Sequence, residues 1–91
     1  MVVKWSASAQ RDLARHRAFV AASDRRAAER VVLDLLSGAL QLASYPQLGA
    51  QLEEFTPRDV RRLIIGDYEL RYELRDAGAD VVRVWHVRED R

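Results

Sequence analysis

His86 is the side chain in this sequence best suited to moving protons, because an imidazole titrates near neutral pH without help. The adjacent acids Glu53-Glu54 supply a candidate complementary base, although an acidic pair in a loop is ordinarily solvated. No tyrosine follows His86, and a lone histidine at a strand end ordinarily serves structure or binding. His16 falls on the apolar face of a helix and reads as a partly buried, hydrogen-bonded residue. Arg58, Arg61 and Arg62 form the densest basic cluster, with Arg83, Arg88 and Arg91 near the other end of the expected sheet. A guanidinium fork matches carboxylate and phosphate oxygens with two parallel hydrogen bonds. Arg61 shares a strand face with Leu63 and Ile65, so it either closes the edge of the core or contacts a macromolecule. The groups Arg11/Arg15/Arg17 and Arg25/Arg26/Arg30 read as outer helix faces, with Asp12 and Glu29 nearby.

The most informative pattern is the row Glu69, Arg71, Glu73, Arg75 at alternate positions of one strand. Opposite charges in such a row can pair, which gives a solvated, self-neutralised face. Alternatively, Arg71 and Arg75 belong to a target-binding surface on the uncovered side of a sheet. The row sits awkwardly with RNA cleavage, which must attract a polyanion and stabilise an in-line phosphoryl transition state with concentrated positive charge. There is no glycine-rich phosphate loop, no clustered metal-ligand spacing and no nucleophile elbow. A metalloenzyme and a nucleotide hydrolase are therefore set aside, and no cofactor or metal is expected.

These residues must be positioned by one small domain spanning 1–91, near the lower end of what one apolar core can stabilise. Of the residues, 48% are hydrophobic and 32% charged, which fits a folded domain rather than a disordered chain. A net charge of +1 argues against a surface that is wholly a nucleic-acid footprint. Lys4 is the only lysine among the 15 basic residues. Codon bias in a GC-rich genome is a sufficient cause of that excess of arginine, and recognition of carboxylates or phosphates is the alternative. There is no cysteine and no apolar run of membrane-spanning length, so a cytoplasmic protein is expected.

Val2 to Trp5 suits a first strand, and Ser6 is placed to cap a helix over 7–22. Asp24 caps a second helix whose apolar face runs through Ala28, Val31, Val32, Leu35, Ala39 and Leu42, widened by Leu36 and Leu40. Gly38 in its interior costs about 1 kcal/mol relative to alanine, which tertiary packing must offset. Tyr45-Pro46 ends that helix, and 46–59 reads as loop. The period then changes to two, with strands on either side of a Gly66-Asp67 turn. Tyr68, Leu70, Tyr72 and Leu74 share one face of the second of these strands. A turn over 76–80 leads to a last strand over 81–87. The class is α+β, in the order β-α-α-β-β-β, with a helical hairpin covering one face of an antiparallel sheet.

At this level the whole chain resembles the RelE/ParE toxins of type II toxin–antitoxin pairs, and the ParE branch more than the RNA-cutting one. Trp5-Ser6 with Ala9 and Asp12-Leu13 resembles the strand-to-helix entry, and Asp24 with Ala27-Ala28 the start of the second helix. Pro46-x-x-Gly49 is similar to the loop that follows. Arg61-x-Leu63 with Ile65, Tyr68, Leu70 and Tyr72 resembles the central hairpin, and Val84-Trp85-His86-x-Arg88 the end of the last strand. The chain departs from the pattern in three places: Ala7 replaces a proline, His16 an aliphatic residue, and Asp24-Arg25 an Asn-Pro.

The resemblance implies a non-enzymatic toxin that binds and blocks DNA gyrase, as in plasmid-stabilisation systems, until a cognate antitoxin neutralises it in a hetero-oligomer. Operator DNA would be reached only through the antitoxin. Arg58, Arg61, Arg71 and Arg88 are then the candidate target contacts, and Leu13, Phe19 and Val20 the candidate antitoxin contacts. The RelE-like alternative is a ribosome-dependent messenger-RNA interferase with Arg61, Arg71, His86 and Arg88 as catalytic groups. A third possibility is a relative that has lost toxicity and serves only to regulate its operon.

Overall fold

The computed structural model describes residues 1–90, so Arg91, grouped above with Arg83 and Arg88, lies outside the described residues. The chain runs β1 (Val2–Trp5), α1 (Ala7–Ala21), α2 (Arg25–Leu40), β2 (Ala50–Gln51), β3 (Asp59–Ile65), β4 (Tyr68–Arg75) and β5 (Gly78–His86). The strands form one five-stranded sheet in the order β1-β5-β4-β3-β2. The expected helical hairpin and antiparallel meander are present, and the N-terminal strand joins the sheet parallel to β5. The segment expected as loop contributes the two-residue β2 and a 3-10 turn at Glu53–Phe55.

Both helices begin where a side chain can satisfy a free backbone donor. Ser6 Oγ accepts from the Ala9 N–H at 3.0 Å, and Asp24 Oδ1 from the Ala27 N–H at 3.0 Å. Each such cap is worth about 1 kcal/mol. Gly66 takes φ +58° in the β3–β4 turn, a conformation that leaves a side chain strained. The last strand starts three residues earlier than its composition suggests. Gly78, Ala79 and Asp80 pair with β1 on one side and β4 on the other, leaving Asp76-Ala77 as the turn.

The core lies between the hairpin and one face of the sheet. Leu35, Ala39 and Leu42 from the helical side meet Leu70, Tyr72, Val81 and Val84 from the strands. Burying each large aliphatic side chain contributes roughly 1.5–3 kcal/mol. Gly38 has its reason here, since a Cβ at that position would fall on the Ile65 side chain of β3. The apolar stripe of α2 is narrower than its composition suggests. Leu36 and Leu40, expected to widen the buried face, are exposed together with Leu33. Tyr72 is fully buried but keeps its hydroxyl satisfied, donating to the Pro46 carbonyl at 2.7 Å and accepting from the Gly49 N–H at 2.8 Å.

Beyond Trp5 the outer edge of β5 has no strand neighbour, and α1 takes its place. Ser6 Oγ donates to the Val82 carbonyl at 3.0 Å. Asp12 Oδ2 accepts from the Val84 N–H at 2.9 Å, and His16 Nε2 lies 2.9 Å from the Val84 carbonyl. A carbonyl only accepts, so Nε2 carries the proton in that bond. His16 is buried and hydrogen-bonded, as its position on the helix implied. Asp12, by contrast, does not belong to an outer helix face. It is buried, with Arg83 Nε at 2.7 Å and Nη2 at 3.2 Å. Burial pushes its carboxyl pKa up, but Arg83, the Val84 N–H and Arg15 together bring it below the ordinary value.

Candidate functional site

The sheet face away from the helices carries the polar side of β4. Glu69 and Glu73 are only 3% and 6% exposed, so this row is not the solvated face that its charge alternation suggested. The physical reason is length: arginines from β3, β4 and the preceding loop reach over the shorter carboxylates and cover them. Glu73 accepts from Arg58 Nε at 3.0 Å and Nη2 at 2.8 Å, and from Arg75 Nη2 at 3.1 Å. The Arg58 hydrogen bond, against burial and with the charges of Arg58 and Arg75, holds the Glu73 carboxyl below its ordinary range. Glu69 lies 3.5 Å from Arg62 Nη1 and 3.4 Å from Arg71 Nη2. Arg75 Nε also reaches Asp80 at 2.8 Å.

Two aromatic rings complete the layer. The Arg71 guanidinium lies 4.6 Å from the Trp85 ring centre and 5.6 Å from that of Phe55, and Arg83 lies 5.1 Å from Trp85. Solvent therefore meets guanidinium groups, while the neutralising carboxylates lie underneath. The expectation that interleaved carboxylates would repel a polyanion loses force, because those carboxylates are covered. The layer is suited to binding, since its forks are held in place before any partner arrives.

A second site lies where the C-terminal half of α1 meets the end of β5. A concavity of about 450 Å³ is lined by Arg15, His16, Phe19, Tyr68, His86, Arg88 and Glu89. The Tyr68 ring stands edge-on between His16 and His86, with centroids 5.0 and 5.3 Å away. Burial, then the nearby Asp67 charge, raises the Tyr68 pKa. His86 Nδ1 accepts from the Arg88 N–H at 3.1 Å, which places the proton of the neutral ring on Nε2. Glu89 accepts from the His86 N–H at 3.1 Å and pairs with Arg15 at 2.9 Å.

The side chains proposed as an RNA-cutting set are divided between these places. Arg71 lies on the open face, in register with Arg62 and Arg83. His86 is paired with Tyr68 and Arg61 with Tyr72, at strand positions about 13 Å apart along β4 on its other face. Arg61 has a side chain 14% exposed and donates to Asp59 at 2.9 Å and to the Gly49 carbonyl at 3.0 Å. It closes the edge of the core. Glu53 and Glu54 are exposed on the turn beside β2, at the edge of the sheet remote from β5, and do not complement His86. Arg58 is exposed and forked to Glu73, whereas exposed Arg88 makes no side-chain ion pair among the described residues.

The candidate antitoxin contacts are also divided. Phe19 is 81% exposed at the rim of the second concavity. Leu13 packs against the core and lines an outer groove between α1 and α2 with Trp5, Val32 and Leu36. Val20 is half-buried near the end of α1.

Sequence reasoning missed Asp12, Glu89 and the aromatic contacts of Arg71. Asp12 left a signal: with Ala9 and His16 it marks a polar-containing line on one side of α1, as a helix facing a bare strand edge requires. Those contacts left none, because Phe55 comes from a turn whose position only the fold defines.

The family profile described as the ParE toxin of type II toxin-antitoxin system, parDE, matches residues 3–91. The chain belongs to the ParE toxin family. A solved structure titled "Chromosomal ParDE TA system from P. aeruginosa" shares the fold of this ParE family member. Its TM-score is 0.77 at 20% identity, and the match covers 94% of this chain and 95% of that one. No curated protein matches this ParE family member in sequence.

Proposed function

We propose that this ParE family member inhibits DNA gyrase by docking on it, without cutting RNA, and that a cognate antitoxin neutralises it. The observation that carries this reading is the open face of the sheet. Its arginines are forked to buried carboxylates or lie over aromatic rings, and neither the imidazole of His86 nor that of His16 shares the face with them. Such a layer binds well, and its carboxylates, Glu69 and Glu73, are engaged by arginines rather than free to move protons. Arg58 and Arg71 are the target contacts on that face, and Arg88 is a further contact from the second concavity. Arg61 contributes by holding the Gly49 loop in place.

The antitoxin is proposed to cover the hairpin. Leu33, Leu36 and Leu40 on α2 and, apart from them, Phe19 on α1 are exposed apolar side chains that an amphipathic segment folding on contact would bury. No helix among the described residues is long and apolar enough to cross a membrane, and a cytoplasmic site of action is part of the proposal.

The test is a gyrase supercoiling assay with the purified chain, run beside messenger-RNA cleavage on translating ribosomes. Inhibited supercoiling with intact RNA is the expected result. Ribosome-dependent cleavage with unaffected gyrase would establish the RelE-like reading, in which His86 and Arg88 share the second concavity. Inactivity in both assays, with antitoxin binding intact, would identify a toxin that has lost its activity.

A further inference from the structure

Arg62, Arg71 and Arg83 stand directly opposite one another across β3, β4 and β5. Like charges at opposed positions destabilise a sheet, so a rung of three arginines requires anions. Among the described residues, two carboxylates serve it: Glu69 beside Arg62 and Arg71, and Asp12 on Arg83 at 2.7 Å. Glu69 is shared by two of these arginines, and Asp12 by Arg83 and Arg15. Arg71 is the least served of the three: its one ion pair is long at 3.4 Å, and its Nε, shielded from solvent, has no acceptor. Its guanidinium also lies over the Trp85 and Phe55 rings, and 24% of the side chain remains open to solvent. A cation short of acceptors and still partly open to solvent is a receptor for an oxyanion.

We propose that the Arg62–Arg71–Arg83 rung seats one carboxylate side chain of a protein partner, with Arg71 as the anchoring fork; this rests on the docking reading above. One under-served guanidinium suits a single aspartate or glutamate of a partner. A nucleic-acid strand needs several cations free to neutralise successive phosphates. Here Arg58, Arg75 and Arg83 already hold carboxylates. Trp85, 8% exposed and covered by two guanidinium groups, offers no open ring face on which a base can stack.

The experiment is an NMR titration of the full chain, following the arginine Nε–H and tryptophan indole resonances. The probe is glutarate, with a short oligothymidylate in a parallel titration. Saturable shifts of Arg71 and Trp85 with glutarate are expected. Arg71→Lys keeps the charge but loses the planar fork, and should weaken the response about fivefold or more. Arg25→Lys, on the outer surface of α2, should leave it unchanged. If Arg71→Lys does not fold, Arg62→Gln, with a half-exposed side chain, tests the same seat and should also weaken the response.

An unsaturable response, or one equal in Arg71→Lys and the native chain, overturns the seat. So does oligothymidylate binding more tightly with the same dependence on Arg71. Gyrase assays on the same samples separate the two readings. A glutarate response without gyrase inhibition rejects the docking target and leaves the seat. Equal gyrase inhibition by the native chain and Arg71→Lys, with no glutarate response, rejects the seat and leaves the docking reading.

Discussion

The two faces of β4 are both buried, and they become so by different physics. On the helix side, Tyr68, Leu70 and Tyr72 are covered by α1, α2 and the loop after them, where removing apolar area from water supplies the driving force. On the open side, Glu69 and Glu73 are covered by the arginines that neutralise them. Removing charge from water is unfavourable, and the ion pairs offset that cost rather than exceed it by much. One face therefore stabilises the fold, while the other holds a set of guanidinium groups in fixed positions. A surface that contributes little to stability can be committed to binding.

Substitutions can break or sharpen this contrast. Leu70→Ala should destabilise the protein most, by about 3 kcal/mol, because it opens a cavity in the centre of the core. Asp12→Ala should follow at about 2 kcal/mol, since it strands the Val84 N–H at the strand edge and removes the partner of Arg83. Chemical denaturation reads both. A loss as large for Glu73→Ala as for Leu70→Ala would break the contrast. The expected figure for Glu73→Ala is about 1–2 kcal/mol, because the half-exposed arginines it releases regain water. Arg75→Ala should fall below about 1 kcal/mol, as an exposed partner of an ion pair.

Acid should act through the same charged layer. Glu73, Asp12 and Glu89 have pKa values lowered in the folded state. A lowered carboxylate pKa contributes stability that is complete above the unfolded value of about 4 and is lost as pH falls from there through the folded value. Melting temperature should thus be flat with respect to these groups at neutral pH and drop below that range. Glu73→Gln should make the drop shallower. An unchanged acid limb in that variant would show that Glu73 is not held by its arginines in solution.

The sequence made some of this legible and hid the rest for identifiable reasons. Alternation along β4 assigns Tyr68, Leu70 and Tyr72 to one face and Glu69, Arg71 and Glu73 to the other, because side chains in a strand point alternately to its two sides. Alternation does not say whether the charged face is wet. That depends on how far Arg58 and Arg62 reach from other elements. Ser6 and Asp24 announced the helix starts through local chemistry, but Asp12 reads as a surface charge until the fold lays α1 against the edge of β5. Leu36 and Leu40 failed in the opposite sense: they read as core by periodicity, and the hairpin leaves them outside. The candidate site was visible as residue types, yet its division between two places followed from strand register alone.

The central claim is that the arginine layer acts by docking and that His86 does no proton transfer. The most direct measurement is growth arrest and gyrase-dependent DNA damage in cells expressing the native chain, His86→Ala or Arg71→Ala, each confirmed as folded. The account predicts full arrest with DNA damage for the native chain and for His86→Ala. Arg71→Ala should bind gyrase roughly five- to thirtyfold more weakly, as expected for loss of an interface arginine. Arrest that disappears in His86→Ala, accompanied in the native chain by transcripts cut at ribosomes and undamaged DNA, would contradict it.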